Sequence, residues 1–250
     1  MSDLHLEKPM SYDLFDITPV APFLALLGDI GNSRDDRFSH FLEAQLHKFC
    51  TVFFAHTKRL VNVFSDQIKK KRAEDPTLGE SVVLDRTRYD MSNEVTVLGC
   101  TLCSKVGPTK DDMNHVSFGL NDFYDIKGWT VEQHNRAHVT DVKWLNAQVK
   151  AISEDEPRRK VVILTHHSPT RDSRSMDPAH AQSAIISGFS IDPSRQPCWR
   201  RPSVKAWAFG HTNFNCDFIA EPAELKAVTN QKGYYFAQSD GFMSDKLIEV

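Results

Sequence analysis

Short apolar runs alternate along the chain with segments whose apolar residues recur at helical spacing. Apolar runs of this length are typical of strands buried on both faces of a sheet. The runs that predict strands are FLALLGD (23–29), CTVFFA (50–55), SVVL (81–84), VTVLGCTL (95–102), RKVVILTHH (159–167) and VKAWAFGH (204–211), with shorter ones at 215–219 and 234–237. Helices are predicted over 35–48, 58–72, 130–152 and 177–187. Alternating strands and helices, followed by a strand-rich C-terminal part, predict a layered α/β sandwich.

The predicted helices differ in how their apolar residues are arranged. The helix over 35–48 carries an apolar face made of Phe38, Phe41, Leu42 and Leu46. The helix over 130–152 carries one made of Val139, Val142, Leu145, Val149 and Ile152. The helix over 177–187 begins at an Asp-Pro pair, a common helix start. The KKKR run at 69–72 is expected to be a solvated helix end, and 103–125 is expected to be rich in loops.

Composition excludes several classes of function. A formal net charge of −3 over 250 residues argues against a nucleic-acid groove built on bulk charge. Mean hydropathy is −0.41, and no apolar run approaches the roughly 18 residues of a membrane span. The first ten residues, MSDLHLEKPM, are too acidic for a signal peptide. We expect one domain over 1–250 with no membrane partner.

The cysteines predict a compartment rather than a site. There are five, at Cys50, Cys100, Cys103, Cys198 and Cys216. Cys100 and Cys103 have the CTLC spacing, but no second pair completes a zinc site and the pair does not open a helix. We therefore interpret both as buried strand thiols, and we expect a reducing, cytoplasmic location.

Aspartate and histidine recur at the ends of the apolar runs. They occur as Asp3-Leu4-His5, Gly28-Asp29, Thr165-His166-His167 and Gly210-His211. In α/β sheets, functional groups gather beyond the carboxyl ends of strands. Residues two apart in an extended chain, such as Asp3 and His5, can point the same way as a chelating pair requires. A mixture of carboxylates and imidazoles suits manganese, iron, zinc or magnesium, and disfavours an all-oxygen calcium site.

Four of these segments carry a resemblance to a known family. SDLHLE (2–7), LLGDIGN (26–32), ILTHHSPT (163–170) and WAFGHTN (207–213) resemble, in order and rough spacing, the motifs of calcineurin-like metallophosphoesterases. The resemblance covers nearly the whole chain. NDFYDI (121–126) and QKGYYF (231–236) are similar to the fungal branch of that family.

The resemblance implies an αββα sandwich, with two sheets packed face to face and flanked by helices, and two divalent metal ions at the sheet edge. By analogy with the family, Asp3 and His5 hold one metal, Asp29 bridges both, and His166 and His211 hold the second. His167 would lie behind the ligands, face the phosphate, or simply pack. Asn213 stands where the family usually has a histidine ligand of the first metal.

Three departures from the family pattern bear on activity. The Gly-Asn-His motif expected after VFFA is absent, and His56 stands at that strand end as a partial substitute or an exposed loop residue. Asn213 offers a neutral carbonyl oxygen, a weaker ligand than imidazole. Only Met1 and Ser2 precede Asp3, so the first strand is expected to be lacking and the Asp3–His5 pair to lie on a mobile terminus.

These observations leave three hypotheses open. The first is a metal-dependent phosphoesterase acting on a small phosphomonoester or phosphodiester. The second is a catalytically inactive protein of the same fold that acts as a binding or scaffold module. The third is a single-metal hydrolase that uses Asp29, His166 and His211, with His5 nearby.

Overall fold

Nine strands form two large sheets in the computed structural model, which describes residues 1–55, 60–192 and 196–250. The strands are β1 (Phe23–Leu26), β2 (Thr51–Phe54), β3 (Glu80–Val83), β4 (Thr87–Asp90), β5 (Val95–Cys100), β6 (Lys160–Thr165), β7 (Val204–Phe209), β8 (Asp217–Ala220), β9 (Leu225–Thr229), β10 (Gly233–Tyr234) and β11 (Ala237–Gln238). The first sheet has the order β1-β2-β3 and is parallel. The second has the order β4-β5-β6-β7-β9-β8, with antiparallel pairs at its two edges. Strands β10 and β11 form a separate hairpin.

The helices lie between these strands in sequence. They are α1 (Asp36–Leu46), α2 (Leu60–Glu74), α3 (Lys110–Gly119), α4 (Asp122–Asp125), α5 (Val131–Asp155) and α6 (Pro197–Arg200). Single 3-10 turns occur at Ser173–Ser175, Pro178–His180 and Ile186–Gly188. No helix of the described residues is long and apolar enough to cross a membrane.

Three apolar clusters show that the layers stack in the order αββα. The cluster between the two sheets joins Phe53 and Val82 of the first sheet to Val97 and Val162 of the second. On the outer face of the first sheet, the residues of α1 predicted to be apolar pack with β1 and β2. On the outer face of the second sheet, α5 packs on β6 and β7. The predicted layered sandwich is thus confirmed.

The N-terminal segment is fixed in place from both sides. Leu27 N–H donates to the Met1 carbonyl at 2.8 Å, and Asp3 N–H donates to the Gly28 carbonyl at 3.0 Å. On the opposite side, Ser2 forms a parallel bridge with Gln231. The expectation of a mobile terminus is wrong, because these long-range backbone bonds and complete burial of Ser2 and Asp3 anchor the segment.

The stretch expected to be loop-rich contains two helices. Helix α3 begins at a capping box, in which Thr109 Oγ1 accepts from Asp112 N–H while the Asp112 carboxylate accepts from Thr109 N–H. This T-x-x-D signal is present in the sequence. Short α4 follows and has no side-chain cap, so its local sequence gives little indication of a helix.

Two further helix predictions are wrong in detail. The region 177–187 forms only 3-10 turns, because Asp177 caps a single turn and Ile185 is drawn into tertiary packing against Gly119. In α5, Val139 is 61% exposed. The buried stripe of α5 runs instead through the set Val131, His134, His138, Asp141, Leu145, Val149 and Ile152. Leu145, Val149 and Ile152 of the predicted face are buried and Val142 is partly buried, so the prediction is wrong only at Val139. Polar residues occupy three positions of the N-terminal half of the stripe, which a search for apolar spacing therefore misses.

Cysteine burial and two short strands complete the comparison between the predicted and observed fold. Cys100 and Cys103 are buried, as predicted, but only Cys100 is in a strand, since β5 ends there; all five cysteines are free thiols. Strands β4 and β9 were not predicted, because TRYD and LKAVT are short and carry polar residues on their exposed sides.

Candidate metal centre

Six of the predicted site residues converge at the edge where the strands end. Their ligand atoms form two groups, and within each group the atoms lie within 4.8 Å of one another. One group is Asp3, His5 and Asp29, and the other is His166, His167 and His211. Two ligands on opposite sides of one ion are at most about 4.4 Å apart, since each bond is about 2.0–2.2 Å. Each group is therefore close to the size that one cation requires.

Asp29 connects the two groups. Its Oδ2 lies 3.7 Å from His166 Nε2 and 4.0 Å from His211 Nδ1. It also belongs to the group of Asp3 and His5, as a shared carboxylate must. The Asp29 side chain is 41% exposed, whereas the side chains of His166 and His211 are each 9% exposed. The centre is thus open to solvent at the Asp29 carboxylate.

The backbone of the site is strained at its predicted residues. Eight non-glycine residues of the described chain have positive φ, and five of them are the predicted site residues Asp3, His5, Asp29, His211 and Asn213. Left-handed backbone at residues other than glycine costs free energy and persists where the surrounding structure imposes it. Four of these five residues, all except Asn213, belong to the two candidate ligand groups.

Two glycines permit the close packing behind the ligands. A Cβ built on Gly28, where φ is +93°, would lie 2.3 Å from His166 Nδ1. A Cβ on Gly210 would lie 2.5 Å from Ser2 Oγ and 2.7 Å from Asp3 Oδ2. Since no side chain fits at either position, the Gly-Asp and Gly-His pairs in the sequence have a steric basis.

Polar contacts indicate which nitrogen of His5 and of His166 faces the centre. His166 Nδ1 lies 2.7 Å from the Leu27 carbonyl oxygen, which can only accept, so Nδ1 carries the proton and Nε2 is left toward Asp29. His5 Nδ1 lies 3.5 Å from Glu7 Oε1, which leaves His5 Nε2 toward the centre. Metal-binding histidines commonly donate their other ring N–H to a carbonyl or carboxylate in this way. Glu7 lies inside the SDLHLE motif, but its role was not predicted.

Several buried polar atoms of the centre lack a hydrogen-bond partner among the described residues. They are Asp3 Oδ1, His5 Nε2, His167 Nδ1 and His211 Nε2. An unsatisfied buried polar group costs about 1–3 kcal/mol, so four in one place call for a ligand. Divalent cations accept lone pairs from carboxylate oxygens and imidazole nitrogens, which is the donor set present. The residues therefore fit a metal centre.

Charges of the centre depend strongly on one another. Burial and the neighbouring Asp29 charge raise the pKa of Asp3, against the opposing effect of His166. Burial alone would also raise the pKa of Asp29, but His166 and His211 together lower it below its usual range. Burial alone would lower the pKa of His211, and its interaction with Asp29 raises it. Two neighbouring carboxylates, of which Asp3 is fully buried, attract cations.

His167 lies deeper than the other imidazoles. It is 1% exposed, and burial, followed by the neighbouring His211 and His166, holds its pKa well below the ordinary value. Its ring lies 5.5 Å from that of His134, whose pKa burial lowers to about 4. A neutral, enclosed imidazole can bind a metal or pack, and its burial keeps it from direct contact with solvent.

The other two predicted site residues are placed differently. The Asn213 side chain is exposed, and its backbone N–H donates to Gln231 Oε1 at 2.7 Å. Its predicted part in metal binding stays a prediction. His56 lies outside the described residues.

Two aromatic rings border the centre and were not predicted to do so. Tyr234 stacks on His5 with ring centroids 3.7 Å apart and planes 12° from parallel. Phe189 stacks on His211 at 4.7 Å and 27°. Tyr234 lies in the QKGYYF segment (231–236) that is similar to the fungal branch of the family. No local sequence pattern, however, indicates that its ring orients His5.

Comparisons with known proteins agree with this arrangement at the level of fold. No protein-family profile matches the chain. The uncharacterized protein L509 of Acanthamoeba polyphaga mimivirus is 26% identical over 262 residues, which span 94% of this chain and 90% of that protein.

A solved structure shares the fold of this chain. The phosphopantetheinyl hydrolase (PptH) from Mycobacterium tuberculosis superposes with a TM-score of 0.67 at 13% identity, covering 95% of this chain and 89% of that one. A dimetal phosphatase from Danio rerio gives a TM-score of 0.45 at 14% identity, covering 84% and 72% of the two chains. The chain shares the fold of the phosphopantetheinyl hydrolase, and the layered α/β fold that the resemblance implied is confirmed. Placement in the fungal branch stays a prediction.

Proposed function

We propose that this chain is a metal-dependent phosphoesterase that hydrolyses a small phosphomonoester or phosphodiester at a centre of two divalent cations. The observation that carries the proposal is the position of Asp29, which belongs to the group of Asp3 and His5 and lies 3.7 Å from His166 and 4.0 Å from His211 of the other group. The likeness to a phosphopantetheinyl hydrolase concerns the fold, and a fold hosts many functions. The side chains of the centre are therefore the stronger support.

Each cation has its own set of residues. Asp3 and His5 would hold one, His166 and His211 would hold the other, and Asp29 would be shared. His167 is close enough to the second group to contribute to it. Carboxylate and imidazole donors suit manganese, iron, zinc or magnesium.

The chain's own residues position this chemistry. When bound, two such cations supply a hydroxide at neutral pH and stabilise the charge of a phosphoryl group under in-line attack. Glu7 and the Leu27 carbonyl hold His5 and His166 so that their Nε2 atoms face the centre. The exposed edge of Asp29 leaves the side open through which a phosphate ester and water can approach.

The test is manganese-dependent hydrolysis of bis(p-nitrophenyl) phosphate and p-nitrophenyl phosphate by the purified chain. Asp29→Asn should abolish the rate, since it removes the shared charge. Asp66→Asn should leave it unchanged, since Asp66 is exposed on α2. Equal rates for the chain and Asp29→Asn would refute the proposal. Two equivalents of bound metal without turnover on either ester would support the inactive binding or scaffold protein instead.

A further inference from the structure

The Gln231 side chain closes the turn that follows β7 and begins at His211. Gln231 is completely buried, and its Oε1 accepts from Asn213 N–H at 2.7 Å. Its Nε2 donates to Thr212 Oγ1 at 2.9 Å and to the Phe214 carbonyl oxygen at 2.8 Å. The orientation of the amide follows, because a backbone N–H can only donate and a carbonyl oxygen can only accept. One amide thus forms bonds to three consecutive residues of the turn.

The backbone of this turn is left-handed at two residues. The φ angle is +70° at His211 and +49° at Asn213. This conformation costs free energy at residues other than glycine and persists where the surrounding structure imposes it. The three bonds of the Gln231 amide act on residues 212–214, directly after His211. We therefore expect the position of the His211 imidazole to depend on Gln231.

The backbone around Gln231 is joined to the N-terminal segment as well. Gln231 forms a parallel bridge with Ser2, and Gly233 N–H donates to the Asp3 carbonyl at 2.9 Å. Asp3 belongs to the first ligand group, whereas His211 belongs to the second. Gln231 therefore connects the two chain segments that supply one candidate ligand to each group.

Asp3 and His211 also contact each other directly. His211 N–H donates to Asp3 Oδ2 at 3.0 Å, and Asp3 Oδ1 has no hydrogen-bond partner among the described residues. This bond leaves Oδ1 as the carboxylate oxygen available to a cation. A shift of the turn would move the His211 N–H, and it would therefore release the Asp3 carboxylate at the same time as it displaced the imidazole.

We propose that Gln231 is a positioning residue of the metal centre, which holds His211 and Asp3 in the arrangement that the two cations require. This inference rests on the proposed function only in requiring the two cations. The amide of Gln231 is engaged by the turn, so it acts through these two residues rather than as a ligand. Because each ligand group contains one of them, loss of the amide should weaken both sites.

The test compares Mn²⁺ binding by the full chain, Gln231→Met and Gln45→Met, each freed of metal with a chelator and titrated by calorimetry. Methionine has a similar length and removes the polar atoms. Gln45→Met is the matched control, since Gln45 is 2% exposed and its Nε2 donates to the Phe41 carbonyl within α1. We expect Gln231→Met to bind both Mn²⁺ ions at least about 10-fold more weakly, and Gln45→Met to bind both unchanged.

A spectroscopic measurement separates positioning from a general loss of stability. The electron paramagnetic resonance of two bound Mn²⁺ ions depends on their separation and shared ligands. At saturating Mn²⁺, and at a temperature where every form is folded, Gln45→Met should give the spectrum of the unaltered chain. Gln231→Met should give an altered one. If Gln231→Met does not fold, Gln231→Asn provides the same comparison, because its shorter side chain cannot form all three bonds.

The outcomes separate this inference from the proposed function. Unchanged affinity and an unchanged spectrum in the Gln231 variant overturn the positioning role and leave the metal centre standing. Equal weakening in Gln45→Met also overturns it, because the effect would then follow from loss of any buried amide. Weaker binding of one ion alone contradicts the joint support of both groups. Absence of Mn²⁺ binding by the unaltered chain overturns the inference and the proposed function together.

Discussion

Gly28 lies directly against His166, and a Cβ at Gly28 would be 2.3 Å from His166 Nδ1. The imidazole cannot move away without losing its bond from Nδ1 to the Leu27 carbonyl. We therefore expect Gly28→Ala to displace the ring and to weaken metal binding by at least about 10-fold.

A second glycine provides the control for this substitution. Gly128 also has a positive φ, of 75°, but a Cβ there would meet nothing within 4 Å. Gly128→Ala should cost only the strain of left-handed backbone, roughly 1–2 kcal/mol, with Mn²⁺ affinity intact. Calorimetric titration checks both variants. Equal loss of affinity in the two would show that steric contact with His166 is not the cause.

Glu7 is expected to orient His5 for metal binding. Removal of its charge in Glu7→Gln should weaken the bond at His5 Nδ1 and lower Mn²⁺ affinity at the first site by about 10–100-fold. Glu74→Gln, at the exposed end of α2, should have no effect. Titration of the metal-free proteins measures the change. Full affinity in Glu7→Gln would contradict an orienting role.

Metal binding should stabilise the fold. The unpartnered atoms of Asp3, His5, His167 and His211 gain ligand bonds in the presence of a cation. At 100 times the dissociation constant, one bound ion adds about 2.7 kcal/mol to the free energy of unfolding. Chelation should therefore lower the melting temperature of the unaltered chain and leave that of Asp29→Asn nearly constant. A melting temperature insensitive to chelator in both would count against the centre.

Buried histidines outside the ligand groups predict a pH dependence of stability. His138 is 9% exposed with Nδ1 2.7 Å from the Cys103 carbonyl oxygen, and burial lowers its pKa below the ordinary 6.5. Below that pH the unfolded chain binds a proton that the folded chain resists. Stability should thus be full above pH 6.5 and fall as pH decreases toward the lowered pKa.

Urea unfolding in the presence of chelator, at several pH values between 5 and 7.5, measures this effect. His138→Asn keeps a donor near Nδ1 and should reduce the fall in stability with pH. His115→Asn should not, because His115 is exposed on α3. The same fall in all three forms would assign the pH dependence to other groups.

The sequence predicted most of the aspartates and histidines that converge at the candidate centre, because the relevant signals are local. A strand must end before Asp29, His166 and His211, and a glycine must precede Asp29 and His211. These requirements leave a visible pattern of an apolar run, a glycine and an acid or imidazole.

The missed features depend on contacts between residues distant in sequence. Anchoring of Ser2 depends on Asn230 and Gln231, and the orientation of His5 depends on Tyr234. Such partners, which are distant in sequence, cannot be recognised from the residues around Ser2 or His5. Helix α4 has only four residues and is positioned by the packing of Leu120 and Phe123 rather than by its own propensity. The capping box of α3, by contrast, is a local T-x-x-D signal that is present in the sequence.

The central claim is that two cations share Asp29 in a working centre. Its most direct test is the rate of bis(p-nitrophenyl) phosphate hydrolysis by the metal-free chain as Mn²⁺ is added in known equivalents. We predict that the rate rises mainly with the second equivalent and then reaches a plateau. A plateau at one equivalent would favour the single-metal hydrolase, and no hydrolysis at any Mn²⁺ concentration would contradict the account.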